Sequence, residues 1–102
     1  NNFDFFLEMG KDFVENISIR IAEIEKAAEI KDNKTLSRLA HNIKGVSLNF
    51  SAETLSQLAA NLEQIANKDE LSSADQIIEQ MKIEAEKIII YFTNLRLENN
   101  KP

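Results

Sequence analysis

Apolar residues recur along this chain in steps of three and four, and β-type alternation is absent. That spacing puts them on one face of a 3.6-residue helix and predicts helices almost throughout. From Lys11 to Glu29, the positions Val14, Ile17, Ile21, Ile24 and Ala28 mark the seam of a first long helix. Ahead of it, Phe3 to Met9 is an aromatic, acidic opening with Asp4 as its cap. Phe3, Phe5 and Phe6 are too many rings for a solvated tail, and predict a short helix lying over one end of a bundle. Gly10 either breaks that helix from the next or is tolerated inside it at about 1 kcal/mol.

Lys31-Asp32-Asn33-Lys34 is a polar turn, with Asn33 the expected N-cap of a helix running to Asn49. Phe50-Ser51 forms the next turn. Leu55, Leu58, Ala59, Leu62 and Ile65 give an apolar face to a helix over Ala52 to Asn67. A loop beginning at Asn67-Lys68-Asp69 ends at Ser72 or Ser73, and Ser72 with Asp75 resembles a capping box, Asp standing for the usual Glu. Ala74, Ile78, Met81, Ala85, Ile88, Phe92 and Leu95 carry the last helix to Arg96, and Glu98 to Pro102 should fray.

Four long amphipathic helices with short connections fold most simply as an all-α, antiparallel up-down-up-down bundle, here with a short extra N-terminal helix. Residues 1–102 suffice for one domain with a modest core. The seams can satisfy one another inside one chain, so a monomer is expected. The chain begins at Asn1 without Met, which suggests excision from a longer protein.

Composition narrows the chemistry. A net charge of −5 argues against nucleic-acid or anionic-membrane partners. No apolar run approaches the roughly 20 residues of a membrane helix. The absence of cysteine removes thiolate catalysis and zinc–sulfur sites, and a single histidine excludes paired Glu-x-x-His metal sites. Asn16-Ile-Ser18, Asn33-Lys-Thr35 and Asn49-Phe-Ser51 match a glycosylation pattern, but without a secretory signal are more simply helix and cap residues.

That one histidine, His41, sits in the stretch Ala40 to Leu55, with a lysine and a glycine following at one-turn spacing. Placing His41 at the origin of a helical wheel puts Lys44, Gly45 and Leu48 within roughly 60° of it. Leu36, Leu39, Ile43, Val46 and Phe50 fall between roughly 140° and 220°. A nucleophile, a cation and a bare position therefore share the face opposite the apolar stripe. Imidazole is partly neutral near physiological pH, so its free ring nitrogen is a usable nucleophile.

His41, Ile43, Lys44, Gly45, Ser51 and Leu55 together resemble the signature of histidine-containing phosphotransfer (HPt) domains of two-component phosphorelays. Ser51 departs from it, standing where the family has a glycine, and is read as a helix N-cap. The flanking helical pattern extends the resemblance over nearly the whole chain. It implies a bundle that accepts a phosphoryl group on His41 from a receiver-domain aspartate and passes it to another receiver. Lys44 would offset phosphoryl charge, and Gly45 and Leu48 would form the docking patch. Family members often carry a polar side chain where Glu63 stands here, able to bond the second ring nitrogen; a carboxylate there would orient the ring but also repel a phosphoryl group. The implied partners are response-regulator receivers and a sensor histidine kinase in the cytoplasm. No cofactor of its own is implied, Mg²⁺ belonging to the receiver. A chain without a nucleotide-binding domain or Gly-rich phosphate loop would be a carrier and not a kinase. The competing readings are a helical module that docks a receiver or kinase without carrying phosphate, and a plain scaffold bundle.

Overall fold

The computed structural model describes residues 2–50 and 52–99. The described residues form four α-helices: α1 (Asn2–Glu29), α2 (Asn33–Leu48), α3 (Glu53–Asn67) and α4 (Ala74–Asn99). They form the expected bundle. α2 packs most extensively against α3, while α1 and α4 run alongside each other. Near the start of α1, Gly10 meets Phe92 near the end of α4, so the two long helices are antiparallel.

The core is the sum of the four stripes. Ile17 and Ile24 of α1, Leu36 and Ile43 of α2, Leu55 and Leu62 of α3, and Met81 of α4 are all buried. Each such side chain contributes about 1.5–3 kcal/mol of transfer free energy. On α1 the most deeply buried positions are Phe13, Ile17, Ile21, Ile24 and Ala27, with Val14 and Ala28 at the edge of the seam and not at its centre. Ser47 is buried without a hydrogen-bond partner for its hydroxyl.

The short extra N-terminal helix is not separate. Residues 2–29 form one helix of 28 residues. The apolar phase explains the continuity: Phe6, Gly10, Phe13 and Ile17 follow in steps of four, three and four, so nothing in the pattern interrupts the helix. Gly10 is buried inside that stripe because the Phe92 ring occupies the space a side chain would need. Of the three opening rings only Phe6 closes the core, packing at a tilt with its centroid 5.3 Å from that of Phe92 and 6.2 Å from that of Phe50. Phe3 and Phe5 stay exposed on the first turn of α1.

The helix ends differ from the sequence expectation in chemistry more than in place. Asp32, and not Asn33, caps α2, its carboxylate accepting from Thr35 N at 3.2 Å. Asn33 lies in the first turn and bonds Asp69 instead. Ser51 lies outside the described residues; the N-cap position of α3 is Ala52, which offers no side-chain cap. Ser72 does not cap α4 from outside: it sits within a 3-10 turn, Leu71–Ser73, that runs straight into that helix. α4 itself continues to Asn99, beyond the predicted end at Arg96. Lys31 and Asp69 close α1 and α3 with φ of 59° and 56°. At each, the next residue's N–H reaches back to a carbonyl five residues earlier (Asp32 to Ala27 at 2.9 Å, Glu70 to Ile65 at 2.8 Å), the Schellman arrangement that glycine usually serves.

Candidate functional site

α2 is held inward by Leu36, Leu39, Ala40 and Ile43, all buried against the core. The same helical turn that buries Ala40 and Ile43 must turn His41 outward, and its side chain is 66% exposed. Lys44 follows at the border with α3. Gly45 lies beside His41 one turn on, and a Cβ built there would meet open space. Leu48 is 58% exposed, so no loop covers it. Ile43 and Leu55 of the sequence signature are buried and serve the core.

α3 supplies the remaining member. Glu63 follows the fully buried Leu62, so its Cα sits at the rim of the α2–α3 contact and its side chain is only 20% exposed. Its two oxygens serve two partners. Lys44 Nζ donates to Oε1 at 3.0 Å, and Oε2 lies 2.9 Å from His41 Nδ1. An ionised carboxylate only accepts, so Nδ1 carries the proton and Nε2 keeps its lone pair. Ser56 Oγ, two helical turns before Glu63, donates to the Lys44 carbonyl at 3.1 Å and ties the two helices together under the site.

Partial burial of Glu63 works to raise its pKa, but the hydrogen bond and charge of Lys44, and then of His41, outweigh it and hold the carboxyl below its ordinary value of 4.5. Folding therefore favours the ionised form. The stability this contributes is fully present above the ordinary carboxyl value and is lost as pH falls through the lower folded one. Denaturant melts at about pH 6 and about pH 3 should show a larger loss for the wild type than for Glu63→Gln. Equal losses would mean that the carboxylate is not preferentially stabilised in the native state.

The sequence places His41, Lys44, Gly45 and Leu48 on one face, and the structure agrees. It also brings Glu63 to the ring. The Lys44–Glu63 pair was not anticipated from sequence, since nothing in a linear pattern links a lysine on one helix to the rim of the next. Two further cations on α2, Lys34 and Arg38, are exposed on the His41 face, and α2 carries no acidic residue at all. Their spacing, seven and three residues before His41, was legible in the sequence. The His41 face of α2 is thus locally basic on an acidic protein.

The arrangement is convex and open. His41 does not line the recess between α1 and α2, which is walled by Phe13, Arg20, Ile43 and Phe50 among others. Arg20 there bonds Asn42, the neighbour of His41. Among the described residues no group of three or more His, Asp or Glu side chains could hold a metal ion, and no helix is long and apolar enough to cross a membrane.

A family model described as "Hpt domain" matches residues 8–90. The chain is also similar to histidine-containing phosphotransfer protein B (HptB) of Pseudomonas aeruginosa PAO1, known from a crystal structure. The two are 30% identical and superpose with a TM-score of 0.89, over 93% of this chain and 83% of that one. No curated protein sequence matches this chain.

Proposed function

The chain belongs to the Hpt domain family and is a phosphotransfer carrier of phosphorelays; from that premise we propose that His41 is the phosphoacceptor and that receiver-domain aspartates are both donor and acceptor. The observation that carries this reading is the exposed His41 ring, pinned at Nδ1 by Glu63 with Nε2 free.

Nε2 attacks the phosphorus of a receiver aspartyl phosphate. The P–O bond to the carboxylate breaks, and that carboxylate leaves with the electron pair. The ring becomes a phosphorylated imidazolium, still protonated at Nδ1. Onward transfer is the reverse step with a second receiver. Such a transfer is largely a matter of positioning and charge neutralisation, and a rigid helix suits it. Lys44 has three donors. One holds Glu63, and the others remain for phosphoryl oxygens. The basic face of α2 favours an acidic partner site, and Mg²⁺ is assigned to that partner. The carrier acts as a cytoplasmic monomer, free or as part of a longer kinase chain.

Gly45 tests the direction of approach. Gly45→Gln puts a side chain into open space beside the ring, so the bundle stays folded while the receiver is obstructed. Phosphoryl transfer should slow mainly as weaker docking, seen as a higher half-saturating receiver concentration with little change in the maximal rate. Wild-type kinetics in this variant would mean that the receiver does not approach across Gly45 and Leu48. Incubation with a phosphorylated receiver tests the reading as a whole: no transfer to His41 from any receiver would leave a docking module without phosphate chemistry.

A further inference from the structure

We propose that Glu63 governs how long the phosphoryl group stays on His41, by holding a proton on Nδ1 of the phosphorylated ring. This rests on His41 being the phosphoacceptor.

The chemistry turns on the leaving group. When the N–P bond breaks, its electron pair returns to Nε2. If Nδ1 is protonated, the departing group is neutral imidazole. If Nδ1 is bare, the departing group is imidazolate, a much stronger base that leaves far less readily. In hydrolysis a water oxygen bonds to phosphorus, the N–P pair goes to Nε2, and the surplus proton of water passes to phosphate or solvent. In onward transfer a receiver carboxylate oxygen replaces water and no proton moves. In both, the form protonated at Nδ1 is the one that reacts.

The site is built to keep that proton. The Glu63 carboxylate lies 2.9 Å from Nδ1. It is mostly shielded from solvent, and Lys44 fixes its other oxygen, so it cannot swing away. The other charged residues that α2 carries on the His41 face are cations, Lys34, Arg38 and Lys44. Among the described residues Glu63 is the anion bonded to the ring, and it stabilises the imidazolium form. A glutamine could accept the same hydrogen bond, but without the charge. A carboxylate bonded to Nδ1 favours the protonated, positively charged ring over the bare one. This chain thus holds its phosphohistidine in a reactive form to higher pH than a neutral partner would allow, and hands the group on quickly in place of storing it.

Phosphoramidate phosphorylates histidine without a receiver, so it separates this question from docking. Wild type, Glu63→Gln and Glu63→Ala are loaded with it, freed of reagent, and followed by ³¹P NMR across the acid-to-alkaline range, with circular dichroism to check the fold. The lifetime should lengthen as pH rises in all three. In both variants the midpoint of that rise should lie lower by about one pH unit, making the phosphohistidine about tenfold longer-lived on the alkaline side of the wild-type midpoint. Glu63→Ala should also load more slowly, having lost ring orientation. If Glu63→Gln follows the wild-type profile and only Glu63→Ala departs, Glu63 merely orients the ring and the proposal is overturned. If wild type takes no phosphoryl group on His41, the phosphoacceptor reading itself falls, and this inference with it.

Discussion

His41→Gln should take up no phosphoryl group from any phosphorylated receiver, while unfolding at the wild-type denaturant midpoint. The loss is complete because a carboxamide offers no nucleophilic nitrogen, and the chain has no other histidine to substitute. The fold survives for a separate reason. The ring is 66% exposed, and among the described residues its hydrogen-bond partner is Glu63. Removing it leaves Glu63 paired with Lys44 at 3.0 Å, so no buried carboxylate is stranded. An exposed substitution of this kind changes stability by under about 0.5 kcal/mol. Acid-labile phosphate incorporation and a urea melt check the two halves independently. Incorporation that persists in the variant would place the phosphoacceptor elsewhere. A melt shifted by several kcal/mol would mean that the ring is structural.

The two glycines should respond to alanine with opposite signs. Helix propensity alone favours alanine at both by about 1 kcal/mol, since each lies in a helix interior. Gly45→Ala should realise up to that gain, because its new methyl group meets nothing. Gly10→Ala should instead lose about 1–3 kcal/mol, as overpacked cores do. Its Cβ would clash with the edge of the Phe92 ring, 2.5 Å from Cδ1. That ring is 2% exposed and cannot retreat. Phe6, Phe50 and Tyr91 surround it at centroid distances of 5.3, 5.5 and 5.3 Å. Equilibrium denaturation of both variants decides the matter. A stabilised Gly10→Ala would mean that α1 and α4 do not approach as closely as described.

These glycines also mark how far the linear pattern reaches. Gly45 could be interpreted from sequence because its meaning depends on the face it shares with His41, and a helical wheel supplies that. Gly10 could not, because its meaning depends on Phe92, more than eighty residues away. The same division runs through the helix ends. Asp32 and Asn33 are both good capping residues, and sequence does not decide between them. Only the path of the chain does, since Lys31 takes the left-handed conformation and starts α2 one residue earlier than expected. Asp69 terminates α3 in the same conformation without the glycine that normally signals it.

Hydrophobic periodicity by itself determined the four helices, their inward faces and the outward aim of His41, Lys44, Gly45 and Leu48. It could do so because a helix ties each side chain's direction to its position by short-range geometry alone. Tertiary structure alone decided the pairing of Glu63 with Lys44, and the seating of the Phe92 ring on Gly10. Both depend on how one helix rotates and slides against another. That is settled by the packing of many buried side chains at once, such as Leu62 against the α2 core and Phe92 against Gly10, and no local rule contains it.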